Sequence, residues 1–403
     1  MSRMGDEILE DIYFEYTTDK SPISYKAGDV AVAKLRLLNG NLEYAVPLIK
    51  WRWNSDGGMS SSGAESNASC LEIKIPIIKE GFTHLVVEAC DEEGTRIANS
   101  KPFDGGIGAD ISNIRLATPI PSDFDERWAA WKEELRDVPL KVLDIKEIND
   151  SDVPNTHKLF DIKISCAGPM PVSGFLTYPK DACEKSLPIY LQGRGYGLHS
   201  AVRLFNDSLT LHLNAHGFLN EQPEEYYKSF GAKFKNSDYG FDNAENSDPE
   251  TCYFKYMMLR ALRGFEYLKT HPLWNGKDAV VGGGSQGAFQ AIAVAAHDSA
   301  VTRLDIEIPW MSNIYNINDG YIRGWRPDNA NGLCYFDEAV QATRVVCKTK
   351  ITAGLGDYIS PPSTVAALYN SLRSTQKELH FFQDMVHESF VGKTDEYVID
   401  TFK

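Results

Sequence analysis

Apolar and polar residues alternate over residues 30–38 and 71–77, and a third strand-like run covers residues 82–89. A period of two is that of half-buried strands, whose successive side chains face opposite sides. Turn-forming clusters part these runs: Asn39-Gly40-Asn41, residues 55–67 with the polar loop Ser60-Ser61-Ser62, and residues 91–94. No amphipathic helix precedes Trp128, so residues 1–112 read as an all-β domain, a small Ig-like sandwich ending near residues 104–108. A connector opens at Pro119-Ile120-Pro121. The period then changes. Phe124, Trp128, Trp131 and Leu135 lie near helical spacing and predict a helix over residues 124–135.

From residue 158 strands and helices alternate. Strands are predicted over residues 158–164, 172–178, 187–191, 210–213, 279–281, 304–308, 350–353 and 379–382, and helices over 253–269, 287–296 and 362–372. Such alternation is the mark of an α/β domain with a mostly parallel sheet. It is expected over residues 113–403, with the connector and first helix included.

Composition narrows the partners. A chain of 403 residues suits two domains or one large domain with an extension, and 43% hydrophobic with 24% charged residues supplies a sizeable core. The net charge of −15 offers phosphates no basic stripe, which argues against nucleic acid and anionic membranes and favours neutral small molecules or neutral polysaccharide. No apolar run reaches the about 20 residues of a membrane span. Residues 1–13 are polar and acidic, without the basic and apolar regions of an export signal. As the chain reads, it is expected in the cytoplasm, or exported only if a signal has been removed. The seven cysteines are scattered without a Cys-x-x-Cys pair, so no zinc or redox motif is expected; a Cys70–Cys90 bridge stays open for an exported protein.

One segment carries chemistry directly. Ala279-Val280-Val281 runs into Gly283-Gly284-Ser285-Gln286-Gly287 and then into an Ala-rich helix. A strand, Gly-x-Ser-x-Gly and a helix in that order form the nucleophile elbow of an α/β-hydrolase, with the serine exposed on a tight turn. Serine needs a base, and the base needs an orienting acid; this fold supplies them in the chain order serine, acid, histidine. Asp357 follows the predicted strand at residues 350–353, and His387 follows the one at 379–382. Asp384 competes as the acid but shares the histidine's own loop, where it is poorly placed to orient the ring from behind. His380 sits inside a strand.

An oxyanion hole needs two backbone N–H groups. Gln286, next after the serine, supplies one. The glycine-rich loop Gln192-Gly193-Arg194-Gly195-Tyr196-Gly197 follows an early strand, and Tyr196 is the candidate for the other. That loop lacks the Gly-Lys-Ser/Thr ending of a phosphate-binding loop. Trp310, Tyr315 and Trp325 are candidates for the walls of a small acyl pocket, and Trp51 and Trp53 for sugar stacking or for core. Neither a metal nor an organic cofactor is required.

Four segments in one order now point to a family. Asp248-Pro249-Glu250-Thr251-Cys252-Tyr253, the Ser285-Gln286-Gly287 elbow, Gly356-Asp357-Tyr358-Ile359-Ser360-Pro361-Pro362-Ser363-Thr364-Val365 and His387-Glu388 resemble the acetyl xylan esterase/cephalosporin C deacetylase family, carbohydrate esterase family seven. The resemblance covers residues 120–403. It implies deacetylation of acetylated xylan, xylo-oligosaccharide or another small acetyl ester through Ser285, Asp357 and His387, with oxyanion donors at Tyr196 and Gln286. It also implies homo-oligomers, unless the added β-domain blocks them. One departure stands out: where the family carries Arg-Gly-Gln, this chain reads Asn214-Ala215-His216-Gly217-Phe218. Two other readings are a serine peptidase of prolyl-oligopeptidase type, whose β-domain is a larger propeller, and a non-catalytic carbohydrate-binding protein on a hydrolase scaffold.

Overall fold

The computed structural model describes residues 12–234 and 238–400. The first eleven residues, and with them most of the start read above for a signal, lie outside the described residues. Eight strands come first: β1 (Ile12–Thr18), β2 (Val30–Asn39), β3 (Leu42–Glu43), β4 (Val46–Ser55), β5 (Ser60–Ala68), β6 (Cys70–Pro76), β7 (Gly81–Cys90) and β8 (Phe103–Ala109). They form two antiparallel sheets, one ordered β1-β2-β3 with β6 also paired to β2, the other β5-β4-β7-β8. Their facing sides close on one core. The alternating positions Ala31, Ala33, Leu35 and Leu37 of β2 meet Ile49 and Trp53 of β4 and Leu85 and Val87 of β7 there. Trp53 is therefore core, while Trp51 is half-buried, its indole filling the space beside Gly63 of β5.

Several strands escape the alternation rule, each for a physical reason. Residues 60–68 form β5 rather than a loop. It is an edge strand with no buried residue, defined by its ladder with β4 (Trp53 opposite Ser61, Trp51 opposite Gly63). A polar sequence suits an unpaired edge, which would otherwise invite another chain to add on. β1, β4 and β8 mix small, polar and apolar residues, so periodicity alone does not single them out. All seven cysteines are free thiols, which removes the Cys70–Cys90 bridge: Cys70 sits opposite Arg36 of one sheet and Cys90 opposite Leu48 of the other.

The rest of the described chain builds one ten-stranded sheet. Its strands are β9 (Val142–Ile148), β10 (His157–Ile164), β11 (Val172–Pro179), β12 (Leu187–Gln192), β13 (Leu209–Asn214), β14 (Trp274–Gly284), β15 (Arg303–Glu307), β16 (Lys348–Gly354), β17 (Lys377–Phe382) and β18 (Glu396–Asp400). The order is β18-β17-β16-β15-β14-β12-β13-β11-β10-β9, parallel from β13 to β17 and antiparallel at both ends. Helices α1 (Phe124–Arg136), α2 (Glu224–Gly231), α3 (Asn243–Asn246), α4 (Phe254–Thr270), α5 (Gln286–His297), α6 (Glu338–Ala342) and α7 (Pro362–Ser371) connect and cover it. α4 packs on β11 to β14, α5 on β12, β14 and β15, and α7 on β16 and β17. This is the expected α/β architecture, and the sandwich in front of it is far from a propeller.

Helix α1 packs into the core of the large sheet. Phe124, Trp128, Trp131 and Leu135 are all buried, as their spacing predicts. Trp128 stacks on His297 at 3.8 Å and donates from Nε1 to the Tyr335 carbonyl at 3.1 Å. Replacing Trp128 with alanine is expected to cost about 3–5 kcal/mol of unfolding free energy, the usual range for truncating a buried aromatic. Urea unfolding checks this; a loss below about 1 kcal/mol would show that α1 is dispensable to the core.

Candidate active site

Strand β14 ends at Gly284 and α5 begins at Gln286, which leaves a single residue to make the turn. Ser285 makes it at φ 55°, ψ −122°, outside the regions ordinary L-residues prefer. Its N–H donates to the Glu307 carbonyl at 2.9 Å, and its own carbonyl accepts from Ala288 N at 2.9 Å as the first bond of the helix. The tight approach explains the glycines: a Cβ on Gly287 would lie 2.7 Å from the Gly193 carbonyl oxygen, and one on Gly283 2.5 Å from the Gly287 carbonyl carbon.

The loops after β16 and β17 bring two further side chains to the serine. His387 Nε2 lies 2.9 Å from Ser285 Oγ, and His387 Nδ1 lies 2.8 Å from Asp357 Oδ2. Asp357 is fully buried, and its other oxygen accepts from Ile359 N at 3.0 Å and Ser360 N at 2.9 Å. A carboxylate can only accept, so Nδ1 donates to it and Nε2 is left to accept the serine proton. The competing acid, Asp384, points elsewhere, to Lys101 and to the backbone N–H of Asp104. His380 is held between Glu378 and Glu396.

Gln286 and Tyr196 flank the elbow from two segments. Among the described residues, neither backbone N–H donates to a protein acceptor. The Gln286 side chain ties the two segments together: Nε2 donates to the Arg194 carbonyl at 3.3 Å, and Oε1 accepts from Tyr239 OH at 2.8 Å. Tyr239 OH in turn accepts from Gly197 N at 2.9 Å. His216, in the segment that departs from the Arg-Gly-Gln pattern, also serves this loop. Its Nε2 faces the Gly197 carbonyl at 3.0 Å and its Nδ1 faces Tyr253 OH at 2.7 Å. Burial pushes the His216 imidazole down to about 3, so it is neutral, with Nε2–H donating to the carbonyl and Nδ1 accepting from the tyrosine. Neither Tyr239 nor Gln290, which also donates to the Arg194 carbonyl, is legible in the sequence, since each stands outside any motif.

The aromatic candidates separate. Trp325 is 39% exposed and meets Tyr196 edge-on at 4.8 Å. Trp310 lies behind it, 1% exposed, stacked at 5.6 Å and donating to the Trp325 carbonyl; it supports the wall and does not line it. Phe241, which the sequence does not single out, joins the same cluster 5.0 Å from Trp325. Tyr315 has no ring contact with this cluster among the described residues; its hydroxyl faces Asn331. Among the described residues, no group of three or more His, Cys, Asp or Glu is arranged to hold a metal ion. No helix there is long and apolar enough to cross a membrane.

A serine on a strand-to-helix elbow, set in a mostly parallel sheet lined with helices, defines an α/β-hydrolase fold. Within that class the chain belongs to the acetyl xylan esterase (AXE1) family, whose profile matches residues 109–319 and 323–400. The acetyl esterase Axe7A of Xylanibacter ruminicola is 27% identical over 290 residues, which span 68% of this chain and 65% of that relative. Two solved structures share the fold at 22% identity and TM-score 0.56. The acetyl xylan esterase from Paenibacillus sp. R4 aligns over 69% of this chain and 93% of its own, and acetyl xylan esterase 1 from Thermoanaerobacterium sp. JW/SL YS485 over 70% and 93%.

Two buried imidazoles, His216 and His212, set a pH dependence of stability. His212, which accepts from Val202 N, is also pushed down to about 3 by burial. Both histidines bind a proton in the unfolded chain below about pH 6.5 but stay neutral in the folded protein until about pH 3. Their stabilisation is therefore complete above pH 6.5 and declines on acidification, by about 1.4 kcal/mol per pH unit for each histidine once the unfolded form is protonated. Urea unfolding at pH 7, 5.5 and 4.5 measures this. His216→Phe is expected to flatten the slope, and an unchanged slope would mean that His216 is charged in the folded state.

Proposed function

We propose that this chain is a serine esterase that removes acetyl groups from acetylated carbohydrate, with xylan or xylo-oligosaccharide as the first substrates to try. The observation that carries this reading is the unbroken hydrogen-bonded series from Ser285 Oγ through His387 to buried Asp357, set in a member of the acetyl xylan esterase family. The division into a sandwich over residues 1–112 and a hydrolase domain over 113–403 belongs to the same reading, supported by the family match that begins at residue 109.

On this reading the reaction has two steps. Ser285 Oγ attacks the acetyl carbonyl as His387 Nε2 takes its proton, and Asp357 stabilises the imidazolium that forms. The negative charge that develops on the carbonyl oxygen is met by the free N–H groups of Gln286 and Tyr196 at the positive end of α5. The imidazolium then gives its proton to the departing sugar oxygen, which leaves as a hydroxyl while an acetyl-serine remains. Water, activated by His387, hydrolyses that ester and releases acetate. The exposed face of Trp325 is the surface on which a sugar ring can stack.

Acetate release from acetylated xylo-oligosaccharide tests this. Ser285→Ala is expected to abolish release with the circular dichroism spectrum unchanged. Asp357→Asn is expected to lower kcat by about 10⁴-fold, because the imidazole loses the partner that sets its tautomer. Release that survives Ser285→Ala would remove Ser285 as the nucleophile. Cleavage of peptide amides in preference to acetyl esters would turn the assignment to a peptidase, and sugar binding without any release would leave a binding protein.

A further inference from the structure

The loops that carry Asp357 and His387 do not stand free. Each is joined by hydrogen bonds or close backbone contact to the last strand of the N-terminal sandwich. Gln383, four residues before His387 and 2% exposed, pairs with Gly106 as a strand neighbour would. Its Oε1 accepts from Gly106 N and its Nε2 donates to the Gly106 carbonyl, both at 2.8 Å. The next residue, Asp384, has φ 50° and accepts from Asp104 N at 3.1 Å and from Lys101 Nζ.

Asp104 reaches the other loop as well. Its Oδ1 lies 2.6 Å from His84 Nε2, and the His84 ring stacks at 3.9 Å on Tyr358, the half-buried neighbour of Asp357. The backbones themselves touch: a Cβ on Gly356 would lie 2.3 Å from the Asp104 carbonyl oxygen, and one on Gly106 2.9 Å from that of Leu355. The two loops are bonded to each other beside this strand, Gly356 N to the Met385 carbonyl at 3.0 Å and Leu355 N to that of Phe382 at 2.8 Å. A second sandwich edge holds the segment that leads to Trp325. Gly57 N donates to the Gly320 carbonyl at 2.7 Å, and Ile322 N donates to Asp56 at 2.8 Å.

We infer that the N-terminal sandwich is a positioning element of the active site, with strand β8 fixing the separation of Asp357 and His387 through Gln383 and Asp384. A domain that only tethers a sugar-binding surface needs a linker and a small, polar, water-exposed contact. Here a buried amide is satisfied entirely across the junction, and two glycines without room for a side chain mark the line of contact. Loose loops would leave the imidazole in many orientations. A misplacement of about 1 Å in a reacting group is enough to cost about 100-fold in rate.

The inference rests on the serine mechanism proposed above, so its test first reads that mechanism without a sugar. The measured quantities are the rate at which a fluorophosphonate labels Ser285, and kcat and KM for an aryl acetate. Gln383→Ala is expected to slow labelling and to lower kcat by about 10- to 100-fold with KM within about twofold of native. Asp384→Ala is expected to do the same, and Asp384→Asn, which keeps an acceptor for Asp104 N and tolerates positive φ, to recover most of the rate. Lys101 is 42% exposed at its side chain, so Lys101→Met is the variant whose folding is safest; it should slow labelling in the same direction. Ile73→Val, deep in the sandwich and remote from both loops, should lower the melting temperature and leave labelling at the native rate.

Native labelling rates in Gln383→Ala and Lys101→Met, with only the melting temperature reduced, would overturn the positioning role. Slowing by Ile73→Val to the same extent would overturn it too, because general destabilisation would then account for the effect. Failure of the native protein to label at Ser285 would sink the serine mechanism, and the positioning role with it.

Discussion

Ser285 sits at φ 55°, ψ −122°, a conformation that costs of the order of 1–3 kcal/mol for a residue with a side chain. The surroundings over-determine it. The strand ladder ends at Gly284, the helix starts at Gln286, and the N–H of Ser285 is held by the neighbouring strand at Glu307. The turn exists only because backbone can approach backbone at Gly193 and Gly287 with no side chain between them. That approach has a second effect. It lays the loop that bears Tyr196 against the start of α5.

Holding that loop is the work of buried polar groups that satisfy one another. Gln286, Tyr239, the Gly197 backbone, His216 and Tyr253 form one connected series, each partner within hydrogen-bond distance of the next. In a low-dielectric interior such a series strengthens and rigidifies when complete, and is costly when a member is lost. His216 is informative here. A neutral imidazole donates on one side and accepts on the other, so it links a backbone carbonyl to a tyrosine without bringing a buried charge. The nearby Arg260 guanidinium, also buried, donates to the Ala215 carbonyl, which places a cation one residue from the position where the family pattern has its arginine.

The N-terminal sandwich has its own core, yet it meets the hydrolase sheet through more than a linker. Phe82 of β7 packs at 5.3 Å from Phe381 of β17, and Phe82, Ile111 and Ile114 belong to the core of the large sheet. Apolar contact supplies adhesion without direction, whereas the Gln383–Gly106 pair and the Asp104–Asp384 bond supply register. Together they leave the ends of β16 and β17, where Asp357 and His387 emerge, with little freedom to drift apart.

Much of this was legible along the chain. A helix buried along Phe124, Trp128, Trp131 and Leu135, the strands with clean alternation, the elbow glycines, and the placing of Asp357 and His387 after consecutive strands all follow from local rules of spacing. Those rules act between residues near in sequence, or through the fixed grammar of strand, turn and helix. They fail at β5, whose polar residues are a strand only because β4 lies beside them. They fail again at Tyr239 and Gln383, whose roles are set by partners far away along the chain. Trp310 and Trp325 look equivalent as letters, and only packing decides that one is buried support and the other an exposed surface. The sequence by itself determined the class of fold, the serine on its elbow and the chain order of Ser285, Asp357 and His387, because backbone sterics and hydrophobic periodicity are local. The tertiary structure alone decided which aromatic is buried and which exposed, how the loop that bears Tyr196 is held and what the sandwich grips, because those depend on hydrogen bonds and contacts that exist only once distant segments meet.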